Sequence, residues 1–387
     1  MKRRVCVITA TRAEYGLLKP LLYEIRKHDA LELQLLVSAT HLAKEYGETY
    51  KEIEEDFVIT SKIPILGEDA SDPLYVAKAM SAAQIGFAKA FAELSPDIIV
   101  VLGDRYEIFC AVAAALIAKI PVAHLDGGEI TQGAVDDALR HAITKMSHLH
   151  FTCHQSYAAR VIQLGEEPSR VFNVGSTSVD AMRSVAIMPK EAFEESIGLR
   201  LGKKNLLITY HPTTLSTRSP KEEFAELLEA LERLDETHLI FTKANADTGG
   251  AIINAMIEEF VAKHPQSSIC RASLGQLRYL NAIYHCDAVV GNSSSGISEA
   301  PFYKRATINI GDRQKGRLRV ASIIDVAPKS DAILEAIESI YAPEFQAVLK
   351  NVESPYGEGR SAERIASILL SCDLSDILQK SFYDLEF

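Results

Sequence analysis

Residues 98–107 read IIVVLGDRYE, in which five consecutive apolar residues run directly into a glycine and two charged residues. A strand that is buried on both faces has no solvent-facing positions, so it reads as a continuous apolar run. The pattern therefore predicts a strand over residues 98–102, and it places Asp104 and Arg105 on the turn that follows.

The same pattern recurs along the chain as an apolar run of strand length, a polar turn and a segment with helical spacing. Alternation of strands with helices is typical of parallel sheets. The first series of predicted strands covers residues 5–9, 33–37, 98–102, 122–125 and 148–152. The second series covers residues 206–210, 238–242, 288–291 and 307–310.

Two series of strands predict an α/β protein with two doubly wound parallel-sheet domains. We expect an N-terminal domain over 1–176, a C-terminal domain over 177–360, and a helical segment over 361–387 that packs back on the N-terminal domain. Ligands of such sheets bind at the carboxyl ends of the strands. With two domains, the expected binding site is the cleft between them.

Composition narrows the class of protein and its partners. The chain has 387 residues and a net charge of −11, which argues against a general nucleic-acid binder. Its apolar runs are too short to span a bilayer, and the apolar part of the N-terminal MKRRVCVITATR ends at Arg12, so we expect neither membrane association nor a signal peptide. Six cysteines without a CxxC pair indicate reduced thiols in a cytoplasmic protein.

Acidic residues gather after the predicted strands of the first series. Asp104 follows residues 98–102, Asp126 follows residues 122–125, and Asp136 begins the helical segment DDALRHAITKM. Neighbouring carboxylates raise one another's pKa values, which yields the acid/base pairs that proton transfer needs. Structural alternatives are an N-cap role for Asp104 and a helix-face ion pair between Asp136 and Arg140.

The second series ends its strands on groups that suit an anion. His211 follows one strand, and Asn245 follows the next. The segment GNSSSGISEAP, residues 291–301, predicts a serine-rich turn and a helix from about Gly296, whose amides and hydroxyls can hold a diphosphate without net positive charge. Additional polar candidates are Ser293, Ser294, Glu299 and Arg313 in this half, and Arg12 after the first strand.

Common cofactor motifs are missing from the sequence. It contains neither a Walker A motif nor a GxGxxG after the first strand, which are the usual nucleotide-binding signatures. His148, His150 and His154 are two and four residues apart along a strand-like segment, a spacing that fits no common zinc pattern well. Partnered histidines near a sheet end are therefore the preferred interpretation. We therefore expect no metal and no other cofactor.

The order and spacing of the motifs resemble the hydrolysing UDP-N-acetylglucosamine 2-epimerase family, of the type found in bacterial sialic and legionaminic acid biosynthesis. The resemblance covers nearly the whole chain, in TATRAEYG, VVLGDRYE, HLDGGEITQGAVDDALRHAITKMSH, YHPTT, NADTGG, GNSSSGISEAP, INIGDRQKGR and SPYGEGRSAERI. It implies the GT-B fold, with two Rossmann-like domains and UDP in the cleft between them. It also implies a cytoplasmic homodimer or homotetramer that acts on a UDP-sugar.

The resemblance further implies a reaction in two halves and assigns residues to it. UDP leaves carbon 1 by anti elimination to give a glycal, and water then adds with inversion at carbon 2, releasing N-acetylmannosamine and UDP. The family's three essential acids fall on Asp104, Asp126 and Asp136, although Asp126 stands where the best-studied members carry glutamate. His211 matches a histidine near the diphosphate, and the matching nucleotide-binding positions are Arg12, Arg105, Asn245, Ser293, Ser294, Glu299 and Arg313.

Three alternatives stay open at this point. The first is the same reaction on UDP-N,N'-diacetylbacillosamine, which carries an acetamido group at carbon 4. The second is a non-hydrolysing 2-epimerase, which would return a UDP-linked product, and the third is a GT-B glycosyltransferase. A glycosyltransferase shares the serine turn and the following glutamate but has no need of the N-terminal carboxylates.

Overall fold

The computed structural model describes residues 2–67, 72, 74–131, 134–213, 218–244, 249–357 and 359–385. The chain divides into two compact units. Unit 1 contains Met1–Glu129, Asp136–Ser184 and Tyr356–Phe387, and unit 2 contains Ile130–Val135 and Val185–Pro355.

Unit 1 is built on a seven-stranded sheet whose neighbouring strands are all parallel. Its strands are β1 (Arg3–Thr9), β2 (Leu31–Ser38), β3 (Ser61–Ile63), β4 (Ile98–Leu102), β5 (Val122–Leu125), β6 (Leu149–Thr152) and β7 (Val171–Asn173). Their spatial order is β3-β2-β1-β4-β5-β6-β7. The chain therefore winds from β1 to one edge and from β4 to the other, and the order reverses between these two strands.

Unit 2 repeats this arrangement in a six-stranded parallel sheet. Its strands are β8 (Lys204–Thr209), β9 (Thr237–Thr242), β10 (Ser268–Arg271), β11 (Ala288–Gly291), β12 (Ala306–Ile310) and β13 (Ile323–Val326). The spatial order β10-β9-β8-β11-β12-β13 reverses between β8 and β11. Ligands of doubly wound sheets bind beyond the carboxyl ends of the two strands at such a reversal.

Helices connect the strands of both sheets. They are α1 (Arg12–Lys27), α2 (Tyr50–Glu54), α3 (Tyr75–Leu94), α4 (Tyr106–Ile117), α5 (Asp136–Met146), α6 (Gln155–Gln163), α7 (Thr177–Ser184), α8 (Lys190–Ile197), α9 (Pro220–Glu232), α10 (Gly250–Lys263), α11 (Gly275–His285), α12 (Ser294–Ser298), α13 (Ser330–Ser339), α14 (Pro343–Asn351) and α15 (Ser361–Ser371). Short 3₁₀ helices span Ala39–Leu42, Lys44–Tyr46 and Pro168–Arg170. Among the described helices, none is long and apolar enough to cross a membrane.

Alternating side chains of the central strands supply the cores. In β1, Val5 and Val7 join a buried cluster with α1 and α15, whereas Cys6 and Ile8 join a second cluster with α3 and α4. Successive strand residues point to opposite faces, so both faces of the unit 1 sheet are covered. In unit 2, Leu206 and Ile208 on one face of β8 join a buried cluster with α9, α10 and α13.

The prediction of parallel, doubly wound sheets is confirmed, and each of the nine predicted strands is present within two residues of its expected bounds. Four strands were not predicted, namely β3, β7, β10 and β13. They are the two outer strands of each sheet, and each has at least two residues that are not buried. A partly exposed strand does not need a continuous apolar run, so its sequence carries a weaker signal.

One glycine at the reversal in unit 2 is required by close packing. Gly291 ends β11 with φ +139°, and a Cβ at this position would overlap the carbonyl oxygen of Thr209 on the neighbouring strand. The overlapped atom belongs to the backbone, so it cannot turn aside as a flexible side chain would. Any side chain at Gly291 therefore forces β8 and β11 apart where their carboxyl ends meet.

We expect Gly291→Ala to lower the free energy of unfolding of unit 2 by about 1–3 kcal/mol, the usual cost of overpacking a well-packed site. Gly67→Ala is the matched control, because a Cβ at Gly67 would meet no atom of the described residues within 4 Å. Thermal unfolding followed by circular dichroism measures both variants. Equal melting temperatures for the two variants would contradict the packing argument.

Candidate active site

The turn after β4 is tied to the end of β5 by its backbone. Gly103 has φ +83°, donates its N–H to the carbonyl of Leu125 (3.1 Å), and accepts at its own carbonyl from His124 Nε2 (2.8 Å). Burial lowers the pKa of His124 to about 3, so its imidazole is neutral. The next residue, Asp104, is thereby fixed beside the strand that leads to Asp126.

Asp104 forms an ion pair with Arg140 of α5. The Arg140 side chain is 1% exposed and that of Asp104 is 21% exposed, so a buried cation holds a carboxylate that still reaches solvent. The N-cap of α4 is Arg105 rather than Asp104. The alternative of a capping role for Asp104 is therefore wrong. The described ion pairs of Arg140 are with Asp104 and Asp137, so the alternative of a helix-face pair between Asp136 and Arg140 is wrong as well.

Asp126 and Asp136 lie half-buried at the same edge of the sheet. Asp126 directly follows β5 in the left-handed conformation (φ +62°), and its N–H donates to the carbonyl of Phe151 at the end of β6 (2.9 Å). Asp136 is the first residue of α5, one turn before Arg140. The structure thus places Asp104 and Asp126 directly beyond the carboxyl ends of the paired strands β4 and β5, and Asp136 at the start of the helix whose Arg140 binds Asp104.

The two predicted cations of unit 1 lie on either side of the reversal between β1 and β4. Arg12 is the first residue of α1, whose N-cap Thr11 forms a capping box with Glu14. Arg105 binds the fully buried Glu107 (Nε to Oε1, 2.8 Å). Burial, together with the charge of Glu107, raises the pKa of Glu14 to about 8.

In unit 2, Asn292 connects residues that follow three neighbouring strands, β8, β11 and β12. Its Oδ1 accepts from the N–H of His211 and its Nδ2 donates to the carbonyl of His211, both at 2.8 Å. Its own carbonyl accepts from Arg313 Nη1 (3.2 Å) and Gln314 Nε2 (2.9 Å). Asn292 is fully buried, so these contacts fix His211, the serine turn and Arg313 relative to one another.

The serine turn begins directly after Asn292. Ser293 is the N-cap of α12, and its hydroxyl accepts from the N–H of Ser295 and lies 3.1 Å from the Ser295 hydroxyl. The helix starts at Ser294, two residues before the predicted start at Gly296. Because α12 has only five residues, hydroxyls and side chains matter more here than a helix dipole.

Glu299 lies at the C-cap of α12, half-buried. Its Oε2 is buried and makes no hydrogen bond within the part of the chain that the structure describes. Burial raises the pKa of this carboxyl to about 7. A buried acceptor of this kind is expensive to leave unsatisfied, which favours a site that receives hydroxyl donors from a ligand.

The remaining predicted residues do not join these groups. Asn245 lies outside the described residues. His150 binds Glu166 (2.8 Å), His148 accepts from the N–H of Val122 (3.1 Å), and His154 caps α6. These three histidines therefore have structural partners, as the sequence interpretation preferred.

The geometry supports two kinds of chemistry. In unit 1, a carboxylate held by a buried guanidinium, with further carboxylates at the same sheet edge, can accept and return protons. In unit 2, hydroxyls, an imidazole, a guanidinium and a carboxylate whose buried oxygen has no hydrogen-bond partner among the described residues can hold an anionic ligand that carries hydroxyl groups. Sequence reasoning missed the roles of His124, Arg140 and Asn292, since each acts through a residue distant along the chain.

Comparison with known proteins places the chain in a family. A sequence profile of the family described as UDP-N-acetylglucosamine 2-epimerase matches residues 23–370. A GDP/UDP-N,N'-diacetylbacillosamine 2-epimerase (hydrolyzing) from Campylobacter jejuni is 44% identical over 99% of this chain and 100% of its own. The polysialic acid biosynthesis protein P7 of Escherichia coli is 37% identical over 99% of this chain and 98% of its own.

A solved structure shows the same fold. The UDP-GlcNAc 2-epimerase from Neisseria meningitidis, crystallised with UDP-GlcNAc, superposes with a TM-score of 0.80 at 17% identity, covering 95% of this chain and 100% of that chain. The predicted GT-B class, with two Rossmann-like parallel-sheet units, is thereby confirmed. The length and identity of these matches establish that the chain belongs to the UDP-N-acetylglucosamine 2-epimerase family.

Proposed function

We propose that the protein is a hydrolysing 2-epimerase that converts UDP-N,N'-diacetylbacillosamine and water to UDP and the free 2-epimeric sugar. The observation that carries this proposal is the 44% identity, along the full length of both chains, with the Campylobacter jejuni enzyme named for that sugar and for hydrolysis. The product is a precursor of the legionaminic type of nonulosonic acid. UDP-N-acetylglucosamine, which would give N-acetylmannosamine for sialic acid synthesis, is the second candidate substrate.

The reaction requires proton transfers at carbon 2. In the elimination, the bond between carbon 1 and the UDP oxygen breaks, UDP keeps the electron pair, and a carboxylate removes the proton from carbon 2. In the hydration, the hydroxide of a water molecule adds to carbon 1. Carbon 2 receives a proton on the face opposite to the one from which its first proton was removed. We assign these transfers to Asp104, which follows β4, Asp126, which follows β5, and Asp136, which begins α5.

The nucleotide is assigned to unit 2. His211 and Arg313 carry groups that can neutralise the departing diphosphate, and Asn292 fixes both of their positions. Ser293 and Ser294 offer hydroxyls to the same diphosphate. Glu299 is assigned to the ribose, because its buried Oε2 makes no hydrogen bond among the described residues.

Further assignments follow from the family resemblance. Arg12, Arg105 and Asn245 are proposed as additional nucleotide-binding residues. A homodimer or homotetramer in the cytoplasm is the proposed working form. The proposal needs no metal or redox cofactor, because departure of UDP leaves a double bond to which water can add.

Incubation with nucleotide sugars in deuterated water, followed by proton NMR, tests the reaction. We expect free 2-epimeric sugar and UDP in equal amounts, with deuterium at carbon 2 of the product because the returning proton comes from solvent. Parallel samples with UDP-N,N'-diacetylbacillosamine, its GDP analogue and UDP-N-acetylglucosamine rank the substrates by kcat/KM. The first is expected to exceed UDP-N-acetylglucosamine by about tenfold or more, the scale of a lost polar contact in a specific site.

Each other outcome of this experiment identifies a rival. A product still bonded to UDP would show a non-hydrolysing epimerase. Release of UDP only when a sugar acceptor is added would show a glycosyltransferase. A higher kcat/KM for UDP-N-acetylglucosamine would overturn the choice of sugar while keeping the hydrolysing reaction.

The raised pKa of Glu299 makes a separate prediction about UDP binding. Ribose hydroxyls donate to the ionised carboxylate, so binding is linked to loss of a proton whose pKa is about 7 in the free protein. We therefore expect UDP affinity, measured by isothermal titration calorimetry, to rise about tenfold between pH 6 and pH 8 through this group.

Glu299→Gln is the control, because UDP ionises in the same pH range. The glutamine variant keeps the size and shape of the side chain but has no titrating proton. The ratio of wild-type to variant affinity is expected to grow with pH. A ratio that stays constant from pH 6 to pH 8 would remove Glu299 from the nucleotide site.

A further inference from the structure

Arg140 is the largest of the fully buried side chains that the structure describes, and it contacts the proposed catalytic acid Asp104. Its guanidinium forms an ion pair with Asp104, donates from Nη1 to the carbonyl of Glu129 (3.2 Å), and lies 3.6 Å from Asp137 Oδ1. Asp104 is 36 residues away in sequence, so the pair depends on the packing of α5 beside the end of β4.

Burial of a guanidinium is costly unless its charge and its donors are matched. The planar, rigid donor fork of arginine also fixes the orientation of the acceptor it binds, which a lysine ammonium does less well. The Asp104 carboxylate is therefore held in one orientation, with a buried positive charge beside it.

The main chain on the other side of Asp104 is fixed independently. The neutral His124 ring donates from Nε2 to the carbonyl of Gly103 (2.8 Å), and its Nδ1 accepts from the hydroxyl of Thr144 (3.1 Å). Thr144 belongs to α5, as Arg140 does, so one helix supports both the backbone and the side chain at this position. Such support is typical of a group whose position matters to chemistry.

We propose that Arg140 is a positioning residue that holds Asp104 as an oriented carboxylate, ready to accept a proton from the sugar. This inference rests on the proposed function for its substrate and reaction. Arg140 itself touches no reacting atom. Its contribution is exerted through Asp104. Among the described residues, Asp137, His141 and His124 are titratable groups near the pair, and Glu129 contacts Arg140 through its backbone carbonyl.

A double-mutant cycle tests the proposal with Arg140→Met, Asp104→Asn and the double variant. We expect Arg140→Met to lower kcat about 100-fold, the scale of a lost general acid–base group, with KM changed less than about threefold. In the Asp104→Asn background, removal of Arg140 should lower kcat by less than about threefold more, because the residue through which it acts is already gone.

Two further variants separate positioning from general damage. Arg140→Lys keeps the positive charge but lacks the planar donor arrangement of the guanidinium. Its kcat should be at least about tenfold higher than that of Arg140→Met. Arg170→Met is the control for loss of a partly buried arginine in the same unit, because Arg170 donates to the carbonyl of Ile377. The kcat of this variant should stay within about twofold of wild type. A raised KM with unchanged kcat in Arg140→Met, or independent losses in the double variant, would overturn the proposal.

The same four proteins of the cycle are compared by thermal unfolding, which does not depend on turnover. We expect each single variant to have a lower melting temperature than wild type. The decrease in the double variant should be smaller than the sum of the two single decreases, because one substitution removes the charge that the other leaves unpaired. Additive shifts would show that the ion pair does not exist. If wild type turns over no nucleotide sugar, the proposed function fails, and the melting cycle still decides whether Arg140 holds Asp104.

Discussion

Burial of the central strands on both faces is the constraint on which the rest of the structure depends. Each of β1, β4, β8 and β11 lies within a parallel sheet, and the residues that point to both of its faces are buried over most of its length. Polar groups therefore cannot project from the middle of these strands without losing water contacts. Chemistry is confined to the residues just beyond the carboxyl ends, and both reversals of strand order place such residues side by side.

The sequence predicts the inner strands well and the outer strands poorly, for one physical reason. The run IIVVL becomes β4 with every residue buried. By contrast, β13 has no buried residue and β3 has one, so their sequences need no apolar run. The bounds of α12 were also misjudged, because its first residues are serines that serve equally in turns and at helix starts.

For the candidate site, position after a strand predicted Asp104, Asp126, His211, the serine turn and Arg313 without any contact information, and these site assignments stay predictions. The residues that hold them were not identifiable in this way. Helical spacing offers Asp136, four residues away, as a partner for Arg140, but folding pairs Arg140 with Asp104. Asn292 is 81 residues from His211 in sequence, and only the adjacency of β8 and β11 makes their two hydrogen bonds possible.

The most direct test is a crystal structure of the protein with UDP. The arrangement of unit 2 predicts the diphosphate beyond the ends of β8 and β11, within hydrogen-bond distance of Ser293 and Arg313, and a ribose hydroxyl bound to Glu299 Oε2. UDP bound elsewhere on the chain, with Glu299 and the serine turn unoccupied, would contradict the assignment of these strand ends to the nucleotide.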